Sequence, residues 1–365
     1  MNEMELSARL DKDVRNWTRE VCSFIFRRPG LLPLAYRLVL IQMASARKRR
    51  AVLSEGLHVP PYMILSATKK CNLNCKGCYD KAHGRVGEDM DGAGLDKLLH
   101  DSERLGIGVI ITAGGEPFAR ADLPQLMKKH RNLLFVVFTN GLALADSNFV
   151  ELIKAVNIYP IISIEGDMES TDSRRGAGMH DKITKAMSTL VSKNKQFGLS
   201  VTVTAVNYNK VLNDAFLAQC RKSGASSVFF IDYVPFISDT KAIELNEQQR
   251  VAMLGWLSDH KRKDLFTVAF PGDEKPFGGC LAAGRGFLHI AADGSVEPCP
   301  FAPVSLDNVS IIGLEQALRS PFLKAIRDNT HLLEDETHGC ALFHKKTELE
   351  SIRESVRKNS PDTGL

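Results

Sequence analysis

Aromatic residues are scarce in this sequence, and neither sign of charge dominates it. Aromatic residues make up 7% of the 365 residues, and the formal net charge is only +4. Nucleic-acid binding commonly relies on a basic face whose aromatic side chains stack on bases. We therefore expect no nucleic-acid partner.

Disulfide pairing is not favoured by the way the eight cysteines are distributed. Three of them lie within eight residues, and a chain of this length does not need disulfide staples. Bunched cysteines in a large chain indicate metal ligands in a reducing compartment. Residues 1–17 are polar and charged, so we also expect no secretory signal and a cytoplasmic protein.

Acidic residues are absent from residues 23–50, which carry seven basic residues and several apolar runs. The mostly apolar run 38–43 is far too short to span a bilayer. A basic amphipathic helix can lie on an anionic membrane surface, so peripheral membrane contact through residues 23–50 is one interpretation. The alternative is a helix packed on the main domain with its basic face in solvent.

The chain is too long for one minimal core, and its composition changes along its length. We predict a helical N-terminal extension at residues 1–56 and a main domain at 57–240. A smaller C-terminal domain, rich in Gly, Pro and Cys, follows at 241–345. A charged tail occupies 346–365.

Short apolar runs alternate with amphipathic helical stretches throughout the main domain. The predicted strands are 62–67, 108–112, 134–139, 159–165, 199–205 and 227–232. Apolar strands separated by helices indicate an α/β fold with a parallel sheet and helices outside it. We predict a partial (β/α)6 TIM-like barrel with its functional groups at the carboxyl ends of the strands.

Cys71, Cys75 and Cys78 follow the first predicted strand in the pattern C-x3-C-x2-C. Cysteine thiolates are the usual ligands of iron–sulfur clusters, and a cubane takes four ligands. Three cysteines leave one iron open, and an open coordination position is how a metal site binds its substrate. The alternatives are a zinc site and three unrelated thiols, but structural zinc usually has four protein ligands in paired spacings.

This cysteine pattern, followed by Tyr79, resembles the signature of the radical S-adenosylmethionine (SAM) superfamily. In that family the open iron of a [4Fe-4S] cluster binds SAM, and an electron from the cluster splits SAM to a 5′-deoxyadenosyl radical that abstracts a substrate hydrogen. The resemblance implies that Cys71, Cys75 and Cys78 are the catalytic cluster ligands and that Tyr79 lies near the adenine. It also implies an electron donor such as flavodoxin or ferredoxin.

Two further motifs at predicted strand ends resemble SAM-binding elements of that family. Gly114, Gly115 and Glu116 belong to a GGEP sequence after the second strand, where glycines let backbone approach a ligand closely. The resemblance implies that this element contacts the amino group of SAM. Asn140 lies in a TNG turn after the third strand, and the resemblance implies that it lines the same site.

Ser163 and Glu165 lie at the end of the fourth predicted strand and share one face, because strand side chains alternate. A hydroxyl and a carboxylate at that position can both hydrogen-bond the ribose hydroxyls. The D-x-R-R-G-x-G stretch that follows resembles a family segment whose arginine pairs with the SAM carboxylate, which implies Arg175. We do not select Arg174, for which an ordinary surface charge is the alternative.

Cys280, Cys299 and Cys340 stand in the C-terminal region, where Asp293-Gly294 predicts the tight turn of a hairpin. This C-terminal segment resembles the SPASM/Twitch extension of many radical SAM enzymes, whose cysteines bind an auxiliary [4Fe-4S] cluster. Three cysteines imply at most one such cluster, and structural thiols are the alternative. The candidates for its fourth ligand are His338, His344, Cys220 and a bound substrate.

Two classes of function follow from these motifs. The first is a radical SAM enzyme, an oxidoreductase that acts on a peptide or protein side chain or on a small metabolite. The second is an iron–sulfur redox or sensing module without SAM chemistry. A pure electron carrier needs neither an open iron nor the GGEP and Arg175 elements, so we favour the enzyme. We expect the C-terminal domain to cover the barrel mouth and exclude water.

Overall fold

The computed structural model describes residues 3–25, 29–84, 87–260, 264–272, 274–334 and 340–359. Within these ranges the helices are α1 Glu3–Ile25, α2 Leu32–Ser54, α3 Tyr79–Ala82, α4 Gly92–Leu105, α5 Leu123–Lys129, α6 Ser147–Leu152, α7 Met168–Arg175, α8 Met179–Ser192, α9 Tyr208–Val211, α10 Asp214–Lys222, α11 Glu247–Asp259, α12 Val309–Leu318, α13 Pro321–Asp328, α14 Thr330–Leu333, α15 Ala341–His344 and α16 Lys346–Asn359. The strands are β1 Tyr62–Ser66, β2 Val109–Ala113, β3 Leu134–Thr139, β4 Ile158–Ile164, β5 Gly198–Val203, β6 Ser227–Asp232, β7 Phe266–Phe270, β8 Phe287–Ile290, β9 Ser295–Glu297 and β10 Asp307–Asn308.

The described strands form one open sheet in the order β10-β9-β8-β1-β2-β3-β4-β5-β6-β7. Strands β1 to β7 pair in parallel in chain order, and β8 pairs in parallel with the free side of β1. The predicted partial TIM-like barrel is confirmed, and its six strands are β1 to β6, with ends that differ from the prediction by two residues at most. The sheet gains β7 and β8 beyond that prediction.

The two faces of the sheet have different partners, because side chains alternate along each strand. In β1, Met63 and Leu65 are fully buried in the layer shared with the outer helices, whereas Tyr62 and Ile64 on the inner face are half-buried. Helix α4 supplies that outer layer with a leucine face at helical spacing. Its start is fixed by Asp91, whose carboxylate accepts a hydrogen bond from the Gly94 backbone at 2.7 Å.

The predicted C-terminal hairpin is present, with β8 and β9 paired antiparallel around Gly294. Because β8 also pairs with β1, and β7 with β6, strands from the region 241–345 extend both edges of the main sheet. The sheet is thus continuous across the boundary drawn at residue 240. The division into four segments stays a prediction.

The N-terminal helices cover the amino end of the barrel. Leu38 and Ile41 of α2 pack against Val109 and Leu134, the first inner-face residues of β2 and β3. Arg49 is buried and donates to the Gly106 carbonyl at 2.7 Å and to the Asp11 carboxylate of α1 at 2.6 Å. None of the described helices is long and apolar enough to span a bilayer.

We expect the substitution Arg49→Met to lower the free energy of unfolding by about 3 kcal/mol, because it leaves the buried Asp11 carboxylate unpaired. Urea unfolding followed by circular dichroism measures this change. Arg50→Met is the matched control, since Arg50 is exposed on the next position of the same helix and should change stability by less than about 0.5 kcal/mol. Equal midpoints for both variants would show that this ion pair does not hold the extension in place.

Candidate active site at the carboxyl ends of the strands

The loop after β1 brings Cys71, Cys75 and Cys78 together as free, half-buried thiols. Burial raises the pKa of Cys71, and the nearby Glu116 carboxylate and the other two thiols raise it further, so the three sulfurs lie within electrostatic reach. The Leu73 backbone donates to Cys71 Sγ at 3.5 Å, a contact that tunes thiolates in cluster sites.

The described residues include no three His, Cys, Asp or Glu side chains that converge on one metal-ion position. In a [4Fe-4S] cubane each cysteine binds a different iron. The ligands therefore surround the cluster and do not converge on one point, as the ligands of a single metal ion would. The three half-buried thiols of the loop after β1 fit that arrangement. They also leave the fourth corner for another ligand.

The GGEP loop after β2 lies directly on the chain that leads to Cys71. The Gly115 backbone donates to the Thr68 carbonyl at 2.9 Å, and the Glu116 backbone donates to the Lys70 carbonyl at 2.8 Å. Gly114 has a φ of 97°, and a Cβ there would lie 2.9 Å from Cβ of Ser66. Only glycine permits this approach, so the first two loops form one unit.

Glu116 ties the GGEP loop to the TNG turn rather than pointing at open space. Its Oε1 accepts from the Thr139 hydroxyl at 2.6 Å, and its Oε2 accepts from the Asn140 backbone at 2.7 Å. Burial raises the pKa of Glu116, and these hydrogen bonds oppose that rise. Asn140 in turn donates from Nδ2 to Asn72 in the cysteine loop at 2.8 Å. Glu116 thus joins two of the predicted SAM-binding elements, and its contact with SAM stays a prediction.

Glu165 lies at the end of β4, buried, and accepts two arginine side chains on one oxygen. Arg174 Nη1 and Arg175 Nη2 both lie 2.6 Å from Oε1 of Glu165. The other oxygen, Oε2, is buried and has no hydrogen-bond partner among the described residues. Buried polar atoms are normally paired, so this oxygen is suited to a hydroxyl donor from a ligand. Ser163 is half-buried nearby and accepts from the Ser200 hydroxyl at 3.0 Å.

Arg174 is not an ordinary surface charge, which corrects the alternative considered from the sequence. Its side chain is only 18% exposed, and Nη1 also donates to the Thr202 hydroxyl at 2.9 Å. Its carbonyl accepts from the Lys76 backbone inside the cysteine loop at 2.9 Å. Burial lowers the pKa of Arg174, but the Glu165 carboxylate and the Cys75 and Cys78 thiols raise it above its usual value. The sequence signal for this contact was the adjacent pair Arg174 and Arg175, which follows the strand-end carboxylate of Glu165.

Cys280, Cys299 and Cys340 also come together, from three separate parts of the C-terminal region. A hydrogen bond with Cys340 and burial raise the pKa of Cys299 well above its usual value, and Cys280 is close enough to add to the effect. The Phe301 backbone donates to Cys299 Sγ at 3.5 Å, which repeats the contact between Leu73 and Cys71.

The residues considered for a fourth ligand beside these cysteines lie in different places. Cys220 sits in α10 within the outer apolar layer, where burial raises its pKa to about 12. His344 is exposed, and its ring packs on Phe343 with centroids 5.0 Å apart. His338 lies outside the described residues. The sequence analysis missed Glu274, whose carboxylate lies close enough to Cys280 to add to the rise that burial causes in the pKa of that thiol. An acidic residue shortly before the first C-terminal cysteine was the available sequence signal.

Two sets of contacts join the cysteine loop after β1 to the C-terminal cysteine group. Ser66 at the end of β1 contacts His289 Nε2 at 2.8 Å, and His289 Nδ1 contacts Glu297, two residues before Cys299, at 2.8 Å. The ring of Tyr79, the residue after Cys78, packs on Phe301 with centroids 5.4 Å apart. Further rings in the same patch are Phe236 and Phe343. These ring contacts form an apolar wall that links the residue after Cys78 to residues close in sequence to Cys299 and Cys340.

Comparisons with known proteins agree with this geometry. Residues 65–218 match the family model described as the Radical SAM superfamily. Fe-coproporphyrin III synthase of Methanosarcina barkeri is 30% identical over 156 residues, which cover 41% of this chain and 39% of that protein. AdoMet-dependent heme synthase of the same organism is 23% identical and covers 69% and 80%. The PqqA peptide cyclase of Xanthomonas oryzae pv. oryzae is 25% identical and covers 66% and 68%.

Solved structures share the fold at low sequence identity. Streptococcus suis SuiB bound to S-adenosylmethionine matches 83% of this chain and 74% of its own, with a TM-score of 0.64 and 15% identity. The anSMEcpe protein with bound AdoMet matches 81% and 99%, with a TM-score of 0.58 and 16% identity. The fold and the matched model define the class: residues 65–218 form a domain of the radical SAM superfamily.

We expect Arg175→Met to weaken SAM binding by about 10- to 100-fold, the effect of losing one charged hydrogen-bond group worth about 1.5–3 kcal/mol. Anaerobic calorimetric titration of the cluster-loaded protein with SAM measures the affinity. Arg104→Met is the matched control, because Arg104 is a half-exposed cation on α4 away from the strand ends. An unchanged affinity in Arg175→Met would remove Arg175 from the binding site.

Proposed function

We propose that this protein binds a [4Fe-4S] cluster through Cys71, Cys75 and Cys78 and binds SAM beside it. When bound, the two cofactors supply reductive cleavage of SAM to a 5′-deoxyadenosyl radical that abstracts hydrogen from a substrate. The observation that carries this proposal is the meeting of the cysteine loop, the GGEP loop and the Glu165–arginine group at one end of the sheet.

The protein's own groups have distinct tasks in this proposal. The backbone of Gly114 and Gly115 leaves room for close approach of a ligand. The unpartnered Oε2 of Glu165 accepts a ribose hydroxyl, and Arg175 offers a planar cation to a carboxylate. The wall formed by Tyr79 and its neighbouring rings excludes water from the reacting atoms.

We propose a peptide or protein side chain, or a small metabolite, as the substrate. The similar proteins divide along this line, since the named relatives include heme synthases and PqqA peptide cyclases. SuiB, which shares the fold, has been solved bound to the precursor peptide SuiA.

We also propose an auxiliary [4Fe-4S] cluster at Cys280, Cys299 and Cys340. The proximity of these thiols and the backbone hydrogen bond to Cys299 Sγ support it. A cluster held by these three cysteines would supply one-electron chemistry. The two cysteine groups are joined by the chain Ser66–His289–Glu297.

The electron for SAM cleavage comes, in this proposal, from a carrier such as flavodoxin or ferredoxin. Exposed lysines surround the cysteine loop, at positions 70, 76 and 81. Their charges would attract a small acidic carrier and shorten its search for the cluster.

We propose that the protein is cytoplasmic and contacts membranes through α2. The exposed positions of α2 from residue 32 to 44 are all apolar: Leu32, Pro33, Tyr36, Leu40, Met43 and Ala44. Exposed Arg47 and Arg50 follow, and the helix contains no acidic residue. An apolar face next to basic residues complements the surface of an anionic bilayer.

We expect the cluster-loaded protein to form 5′-deoxyadenosine when given SAM and dithionite without oxygen, as measured by chromatography. Cys75→Ala should abolish the product, because the loop then holds two thiolates and cannot assemble the cluster. Cys22→Ala is the control, since Cys22 lies in α1, away from the strand ends, and burial raises its thiol pKa. A confirmed cluster that yields no product with SAM, candidate peptides or tetrapyrroles would contradict the proposed function.

We expect sedimentation with vesicles containing anionic lipid, and a tenfold or greater loss in a Leu40→Asp, Met43→Asp double variant. Burying one large aliphatic side chain contributes about 1.5–3 kcal/mol to binding. Replacing two of them with aspartate therefore removes more than the roughly 1.4 kcal/mol that corresponds to a tenfold loss of affinity. Val191→Asp is the control, because Val191 is an equally exposed aliphatic residue on α8. Equal sedimentation of the double variant and the control would rule out the α2 face as the contact.

A further inference from the structure

We propose that the open edge of the sheet at β7 docks an extended peptide segment, which pairs with the backbone of Phe266–Phe270 as an added strand. This inference rests on the peptide alternative of the proposed function and names the surface that holds such a substrate. A peptide bound in this way is recognised by its backbone and by apolar side chains at alternate positions.

The sheet ends at β7 within the described parts of the chain. Strand β7 pairs in parallel with β6, and the Phe266 backbone donates to the Ser226 carbonyl at 3.1 Å. Backbone groups of successive residues in a strand point to opposite sides, so those of Thr267 and Ala269 point away from β6. They form a row of donors and acceptors that another extended backbone complements.

The two edges of the sheet differ in how well they are protected against pairing. At the opposite edge, β10 is two residues long and carries Asp307, and short charged edges discourage pairing with another chain. Strand β7 is five residues long, and its sequence FTVAF contains no charge and no proline. An unprotected edge of this kind is a template for strand addition, which points to a partner strand.

The inner face of β7 offers apolar side chains to a strand added there. Phe229 of β6 is half-buried on the inner face, between two residues that are buried in the outer layer. Its partner in register is Val268, so Phe266, Val268 and Phe270 share the inner face of β7. All three retain exposed surface, and Phe270 is 37% exposed.

A row of ring contacts leads from this edge towards the candidate active site. The Phe270 ring stacks on Phe229 with centroids 5.9 Å apart and an angle of 9° between the ring planes. Phe229 in turn packs on Phe138 of β3 with centroids 5.5 Å apart. Phe138 precedes Thr139, whose hydroxyl donates to Glu116 at 2.6 Å. A side chain that an added strand lays on Phe270 therefore meets the outer end of a row that reaches the strand ends.

A second copy of this chain is the other partner that could supply an extended backbone. Stable interfaces between proteins use about 20–30 residues on each side. A ladder between two copies of β7 would use five residues of each strand. The edge is therefore suited to a short peptide and is small for a dimer interface.

The test uses the full chain and a random heptapeptide library displayed on phage. Peptides that the chain enriches are synthesised, and their affinities for the wild type, Thr267→Pro and Thr267→Val are measured by fluorescence anisotropy. Proline at position 267 removes an outward N–H group but none of those that face β6, and edge strands tolerate proline at such positions. Thr267→Val is the matched control, because valine keeps the N–H group and the β-branched shape.

We expect the enriched peptides to carry apolar side chains at alternate positions. Thr267→Pro should bind them at least about fivefold more weakly, the effect of losing one backbone hydrogen bond, and Thr267→Val should bind them as the wild type does. The amides of Thr267 and Ala269 should exchange hydrogen more slowly when a peptide is bound.

A second measurement leaves the protein unchanged, so it stands even if Thr267→Pro does not fold. Each enriched peptide is made in two forms, N-methylated at its odd-numbered or at its even-numbered residues. One form should lose binding and the other should keep it, because only alternate amides of an added strand face β7.

Three results would overturn the proposal. A library that yields no enriched peptide would show that the edge does not dock one. Equal binding to Thr267→Pro and Thr267→Val, or equal effects of the two N-methylation patterns, would place the peptide elsewhere. A wild-type dimer that Thr267→Pro converts to a monomer in sedimentation velocity would assign the edge to a second copy. None of these measurements needs SAM cleavage, so a failure of the proposed chemistry would appear only in the 5′-deoxyadenosine assay.

Discussion

The backbone contact between the first two strand-end loops is the constraint on which the site depends. Two hydrogen bonds of 2.8 and 2.9 Å lay the GGEP loop on the residues just before Cys71, and glycine is required because a side chain would clash. Glu116 extends the contact to the third loop through Thr139 and the Asn140 backbone. Three loops far apart in sequence therefore hold one another at fixed positions around the cysteines.

Charge balance explains the polar groups that surround this frame. Three thiolates near one another are unfavourable unless cations or a metal offset them. Arg174 lies within reach of Cys75 and Cys78, while Glu165 keeps both arginines in place on one oxygen. The C-terminal cysteine group also has a nearby cation, because the charge of Arg285 interacts with Cys280 and Glu274. In each group an arginine is held by hydrogen bonds to protein groups, so the electrostatic environment is preorganised.

The layout also relates the two ends of the barrel. One side of α2 packs on the amino ends of β2 and β3, and Arg49 anchors it to α1 and to the end of α4. Its outward side presents apolar residues and then arginines. The helix thereby closes the barrel on the side opposite the cysteines. The chemistry and the proposed surface contact consequently lie at opposite ends of the strands and do not compete for space.

Sequence alone determined the fold class, the six core strands and the cysteine loop, because alternating apolar runs and a short C-x3-C-x2-C spacing are local signals. It also located the hairpin before Cys299 through its Asp293-Gly294 turn. Tertiary structure decided what depends on long-range contacts: that β8 joins β1, that Arg174 pairs with the buried Glu165, and that Glu274 lies near Cys280. A lone carboxylate or arginine carries no local signal of its partner. Its role is set by which strand ends and turns the sheet brings together.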